Sequence, residues 1–337
     1  LTYEKKNELN FGADFGFLKN RINVTTDVYF RQNFDLIGLI YTQGVGGEIA
    51  KYANVASMNS NGVELSIATK NIDNKKFKWS TDFIFASAKN VITELDSRSN
   101  VITLISGEGY ARQGYPVRSL FSIPFAGLNE EGIPTFVNQD NETTVTDLDF
   151  QEYENLDFLK YEGPTDPTVT GSIGNNFSWN NFTLNVFITY SLGNVVRLDP
   201  IFKSSYSDLT SMPKEFKNRW VIPGDEKVTS IPVIASKRQD RNYDPLSYAY
   251  NAYNYSTERI ANGDFVRMKE ISLSYNFPKK FIDSLKINNL SMKLQATNLF
   301  LLYTDKKLNG QDPEFFNSGG VATPMPKQIT FTINMGI

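Results

Sequence analysis

Residues 183–192 read Thr-Leu-Asn-Val-Phe-Ile-Thr-Tyr-Ser-Leu. In an extended chain successive side chains point to opposite faces. Leu184, Val186, Ile188, Tyr190 and Leu192 then share one face, and Thr183, Asn185, Thr189 and Ser191 share the other, with Phe187 as the exception. The same alternation recurs along the chain. Ile329, Phe331, Ile333 and Met335 oppose Gln328, Thr330, Thr332 and Asn334. Ile271, Leu273, Tyr275 and Phe277 oppose Ser272, Ser274 and Asn276. Val63, Leu65 and Ile67 alternate with Glu64, Ser66 and Ala68, and Phe11, Ala13, Phe15 and Phe17 with Asn10, Gly12, Asp14 and Gly16. Ile22, Val24, Val28 and Phe30 face away from Asn23, Thr25, Asp27 and Arg31, and Trp79, Phe83 and Phe85 oppose Lys78, Ser80 and Asp82. Two weaker candidates, 168–178 and 290–303, bring the expectation to nine strands.

Links between these strands alternate in length. Short ones lie at Lys19-Asn20, at Asp73-Asn74 and at Trp179-Asn180-Asn181, with a medium one over 278–289. Long ones fall near 32–60, 91–167, 196–263 and 304–325. Structureless loops beyond about 15 residues are uncommon in compact domains. Outer-membrane barrels, however, pair short turns at one end with long loops at the other.

Composition narrows the chemistry. Among 337 residues, 34 are Lys or Arg and 37 are Asp or Glu, a net charge of −3. This balance argues against a nucleic-acid binder. Histidine and cysteine are absent, which removes Ser-His-Asp and Cys-His catalysis, thiolate nucleophiles, disulfides and His or Cys metal ligands. Mean hydropathy is −0.34, and the densest apolar runs, such as 36–40, are far shorter than a membrane-spanning helix needs.

A soluble antiparallel sandwich alternates in the same way. Two features favour a transmembrane barrel instead. The polar faces are rich in Ser, Thr, Asn and Gly rather than Lys and Glu, and the strands reach 11 or more residues, enough to cross a bilayer at a tilt. Trp79, Trp179, Tyr190, Tyr275 and Tyr303 lie near strand ends, as interfacial aromatic girdles do. Open sheet edges are not tolerated in hydrocarbon, so nine strands imply further strands upstream. Counting back from the turn at Lys19-Asn20, Leu1 is expected on the long-loop side of a larger barrel. The fold class expected is therefore all-β, a transmembrane antiparallel β-barrel, of which residues 1–337 form the C-terminal portion.

Several segments resemble one family. They are Asn59-Ser60-Asn61-Gly62-Val63-Glu64-Leu65; the hairpin from Asp166-Pro167-Thr168 through Asn175 to Leu184; Arg219-Trp220 followed by Ile231-Pro232; Gly263-Asp264-Phe265-Val266-Arg267-Met268-Lys269 with Leu273-Ser274-Tyr275 and Pro278; and Asn298-Leu299-Phe300 with Gly310-Gln311-Asp312-Pro313-Glu314. In order and spacing they are similar to the C-terminal signature of the SusC/RagA family of TonB-linked outer-membrane proteins of the Bacteroidetes. The resemblance implies a large barrel in the cell outer membrane with an N-terminal plug. It also implies a SusD-like surface lipoprotein as a lid, and import of oligosaccharides or peptides energised through TonB. The plug and the TonB-contacting segment lie outside these residues. Two departures stand out: residues 147–154 lack the glycine of the family's acidic loop, and the last residue, Ile337, is not aromatic.

Tyr243, Tyr248, Tyr250, Tyr253 and Tyr255 crowd one long loop, and Trp220 precedes them. Aromatic faces stack on sugars or pack on a partner, but they also hold a loop together. The acidic stretch 140–157 could gather oxygens around a cation, or could be a solvated loop. Gly44-Val45-Gly46-Gly47 lacks the strand–helix setting of a phosphate cradle and reads as a turn or loop tip. A short helix is expected from Met212 to Trp220, capped by Ser211 with Pro213 near its first position. Asp14, Glu64 and Asp82 share the expected lumenal faces. No cofactor, metal site or catalytic residue is expected. An energised importer competes with a surface adhesin or glycan-binding β-protein, and with a barrel-embedded hydrolase, for which no loop presents an evident carboxylate pair.

Overall fold

The computed structural model describes all residues except 42–46, 48, 97–98, 107–110, 203–211, 244–245, 285–286, 317–325 and 337. Nine strands form one sheet in chain order, every neighbouring pair antiparallel. They are β1 (Lys5–Phe17), β2 (Ile22–Tyr41), β3 (Ala50–Asp73), β4 (Phe77–Leu95), β5 (Val169–Trp179), β6 (Phe182–Leu192), β7 (Phe265–Asn276), β8 (Asn289–Thr304) and β9 (Gln328–Gly336). No helix among the described residues is long and apolar enough to cross a membrane.

The register carries the alternation across the sheet. Phe15, Val24, Ile67, Phe83, Ile173, Ile188, Met268 and Phe300 are successive cross-strand partners, a row of apolar side chains through eight strands. Trp79, Phe177, Leu184, Leu273, Leu294 and Phe331 form a second row on the same face. The opposite face reads Lys70, Ser80, Asn176, Asn185, Ser272, Gln295 and Thr330. Leu273, Leu294, Phe331 and Ile333 are about half exposed on the apolar face, whereas Ser272 is buried. Phe187, the residue of β6 that breaks its alternation, lies on the polar face against Gly174. Tyr190 on the apolar face lies across Gly171, where an added Cβ would collide with its hydroxyl, and that hydroxyl donates to Ile84 O at 2.9 Å.

Strand ends differ from expectation in one region. Most of 32–60, expected as a long loop, is strand: β2 continues to Tyr41 and β3 begins at Ala50. The register slips between Asn33 and Leu36, where Asp35 takes a φ of 56° and binds Lys5 Nζ at 2.6 Å. A bulge of this kind inserts residues into one strand and shifts the period that sequence inspection follows. Of the glycine-rich run, Gly44 to Gly46 lie outside the described residues. The helix expected from Met212 to Trp220 is only a 3₁₀ turn, Lys214–Asn218, led by Pro213 without a side-chain cap; Ser211 lies outside the described residues.

The sheet does not hold the main buried core. The described residues of segments 101–161 and 196–255 form a head at the long-loop end. Val101, Leu104, Ile105, Phe121, Ile133, Phe136, Ile201, Leu246 and Tyr253 are almost fully buried there. Helix α1 (Val101–Ile105), helix α2 (Lys237–Asn242), helix α3 (Leu246–Asn254) and short ribbons surround this core. A sheet whose apolar side chains are half exposed, beside a head with a water-excluding core, divides the chain into a part suited to hydrocarbon and a part suited to water.

This division fixes what arginine should do on each face. Ile188→Arg is expected to cost about 2–4 kcal/mol of folding into lipid near the bilayer midplane, and Asn185→Arg much less. Denaturant titration of the full-length protein refolded into vesicles measures both. Equal costs would reverse the facing.

Candidate functional site

The head brings the aromatic candidates together, but mostly as its own core. Tyr253 is 1% exposed and packs edge-on against Phe125 and Phe202, with ring centroids 5.6 and 5.7 Å apart. Burial raises the pKa of its phenol. Tyr250 lies 4.5 Å from Phe202, and its hydroxyl donates to Val233 O at 2.7 Å. The Tyr243 hydroxyl accepts from Asn129 Nδ2 at 3.2 Å. Tyr255 packs on the core and faces the Arg197 guanidinium at 5.5 Å. Trp220 is buried over Gly132, whose φ of 74° and lack of Cβ admit the indole. Its Nε1–H donates to Glu226 at 3.1 Å, and with the Gly224 amide this holds the Glu226 carboxyl below its ordinary pKa. Thus Tyr253 and Trp220 are packing residues with no face for a ligand. Tyr248 alone of the six is exposed, and it stacks on Phe150 at 6.3 Å.

Tyr248 edges a cleft of about 570 Å³ bounded by Phe202, Tyr250, Asn251, Lys237 and Asp240. Helix α2 presents Lys237 and Asp240 because Ser236 caps it, accepting from the Gln239 amide while the Gln239 side chain accepts from the Ser236 amide. The Asn254 amide at the cleft's base is engaged: its Oδ1 accepts from the Ile201 and Phe202 amides, and its Nδ2 donates to Phe202 O. An amphipathic ring beside one cation and one carboxylate suits a polar ligand with an apolar or flat face.

The acidic stretch is used locally. Asp149 accepts from the Gln151 amide, Glu152 from the amides of Glu154 and Asn155, and Asp157 pairs with Arg112 at 2.7 Å. Among the described residues no group of three or more acidic side chains is placed to hold a metal ion.

Residue reasoning missed the buried charge network beneath the head. Arg267 on β7 donates through Nη2 to both oxygens of Asp312, at 2.6 and 2.7 Å, and lies 3.0 Å from Glu314. Asp312 also caps the turn Pro313–Phe315. Arg259 reaches Glu215 at 2.6 Å and Asp199 O. Arg197 donates to Phe121 O, and burial pulls its pKa down to about 10, opposed by Tyr255 and Glu162. One signal did lie in the sequence: the segments around Arg267 and Asp312 were both part of the family resemblance, and so were Trp220 and Ile231, whose backbones hydrogen-bond at 2.9 Å.

Two outcomes follow for stability. Tyr253→Ala is expected to cost the head about 3–5 kcal/mol, and Tyr248→Ala under about 0.5 kcal/mol; protease resistance of the head in the full-length protein distinguishes them. Asp312→Ala removes two charge-assisted hydrogen bonds from Arg267, which keeps Glu314 at 3.0 Å, and is expected to cost about 1.5–3 kcal/mol. In a double-mutant cycle with Arg267→Met, a coupling near zero would show the pair to be idle.

No protein-family model matches the chain. Curated relatives do. It is 25% identical to TonB-dependent receptor P39 of Formosa agariphila over 100% of this chain and 36% of that protein. It is 25% identical to TonB-dependent receptor SusC of Bacteroides thetaiotaomicron, over 100% of this chain and 32% of that protein. The chain therefore spans about a third of the length of these relatives. Among solved structures, the RagAB peptide importer in its open-open state superposes with a TM-score of 0.77 at 24% identity, covering 100% of this chain and 35% of that one. The RagAB peptide transporter gives 0.75 over 36% of its chain. The fold is that of the C-terminal part of a TonB-dependent barrel.

Proposed function

We propose that this chain, whose homologues are TonB-dependent receptors with SusC among them, forms the last part of the wall and the outer mouth of an outer-membrane nutrient importer. The observation that carries this is the two-faced sheet. One face offers continuous apolar rows to lipid, and the other offers Ser, Asn, Thr and Gln to an aqueous lumen. The outer edges of β1 and β9 have no partner strand among the described residues, and the upstream strands of the same protein would close them. Its plug would fill the lumen.

Oligosaccharides or peptides are the cargo classes proposed; the similar RagAB is a peptide importer. A SusD-like surface lipoprotein would close over the head, and TonB would supply energy through parts of the protein beyond these residues. Of the six aromatic candidates, Tyr248 is the one with a free face for lid or cargo. Tyr243, Tyr250 and Tyr255 would contribute by holding the cleft's shape.

In the full-length receptor, Tyr248→Ala combined with Asp240→Ala is expected to lower lid association or uptake several-fold. Membrane level and heat-modifiability should stay unchanged. Unaltered lid binding and uptake would remove the cleft from the import pathway. A receptor that neither bound a lid nor imported would favour a surface adhesin.

A further inference from the structure

Charge gathers at the short-turn end of the sheet. Lys19 and Arg21 lie in the turn between β1 and β2, Lys75 and Lys76 in the turn between β3 and β4, and Lys279 and Lys280 open helix α4 (Lys279–Ser284), between β7 and β8. The five lysines are exposed, and among the described residues none has a carboxylate partner. Arg21 is fixed by donating to the carbonyls of Lys70 and Asn71. Only two carboxylates share these turns: Asp73, already 3.5 Å from Lys78, and Asp283. The other end has the opposite sign on balance, for residues 91–167 hold 14 acidic and four basic residues and residues 196–263 hold eight acidic and ten basic.

Directly beside this rim the apolar face turns aromatic. Trp79 stacks on Phe177 at 5.7 Å, Phe182 meets Tyr275 at 4.6 Å, and Phe277 stacks at 5.2 Å on Phe281 of α4. Trp179 is 59% exposed in the same belt. From mid-sheet to turn the order is therefore apolar, rich in paired aromatic rings, and cationic. A glycerophospholipid presents the same order as acyl chain, glycerol-ester interface and phosphate.

We propose that the short-turn rim is a binding surface for anionic glycerophospholipid headgroups, with the lysine ammonium groups meeting phosphate oxygens while the aromatic belt lies at the ester level. It rests on the apolar face being lipid-facing. Short turns of outer-membrane barrels are periplasmic, so the leaflet concerned is the inner one. Unpaired lysines next to an anionic surface gain attraction that salt screens, whereas the acidic segment 91–167 at the other end would be repelled by the same headgroups.

The test uses the full-length receptor in nanodiscs, with spin-labelled phosphatidylglycerol and phosphatidylcholine as probes of motionally restricted lipid. Phosphatidylglycerol is expected to be preferred about fivefold or more at low salt. The preference should fall towards parity in Lys75→Gln, Lys76→Gln, Lys279→Gln, Lys280→Gln and persist when the same four lysines become Arg. Should the quadruple variant fail to insert, the two double variants, K75Q with K76Q and K279Q with K280Q, are each expected to lose part of it. An unchanged preference in inserted variants, or none in the wild type, overturns the proposal. Restricted lipid absent altogether would instead contradict the lipid-facing sheet. Purified lipid A as competitor separates the lipid sources: an advantage for lipid A that the variants abolish would assign the rim to lipopolysaccharide and overturn the glycerophospholipid assignment.

Discussion

A backbone amide in hydrocarbon has no water to turn to, so its N–H and C=O must find each other. Every feature of the sheet follows from that requirement. Each of the nine strands has a neighbour in register, and the side chains are then sorted by the pleat with no further choice. A slip of one residue would carry Leu184 and Leu273 to the polar face and Asn185 and Ser272 to the apolar one. The bulges at Asp35, between β3 and β4, between β6 and β7, and along β8 are the places where the chain adjusts its phase without losing that sorting.

Period-two alternation made the strands legible because it reports a local property, the two faces of a pleat. Strands β6, β7 and β9 lie within a few residues of where their alternation places them. Where the phase breaks, legibility ends. Phe34 and Asp35 interrupt β2, and a hairpin that continues to Tyr41 looked like loop. Phe187 looked anomalous because its reason, Gly174 across the strand pair, lies 13 positions away. The head was the least legible part, since its core joins Phe121 and Phe136 to Phe202 and Tyr253, residues set apart by a transmembrane hairpin.

The same limit governs the candidate site. Five clustered tyrosines and a tryptophan can form a sugar platform, and more commonly hold a loop together as its packed core. Only tertiary contacts separate Tyr253, which fills the head, from Tyr248, which borders its cleft. The charged contacts were invisible for a related reason. Arg267 and Asp312 are 45 residues apart, and neither position departs from ordinary composition. The family resemblance singled out the segments around both residues without joining them, and only the folded chain brings the two side chains together.

The head's core also imposes an order of assembly. Its two halves, 101–161 and 196–255, leave the barrel on either side of the hairpin β5–β6. Closing contacts across that separation costs loop entropy until the hairpin has returned the chain to the same end. Once β5 and β6 are paired, the ends of the two halves are held close, and collapse of Phe121, Phe202, Leu246 and Tyr253 becomes a short-range event. The exterior domain is thereby made conditional on the strands beneath it. A barrel that stalls with this hairpin unformed leaves its largest apolar cluster open, a molecular tag of incomplete biogenesis displayed at one end of the molecule.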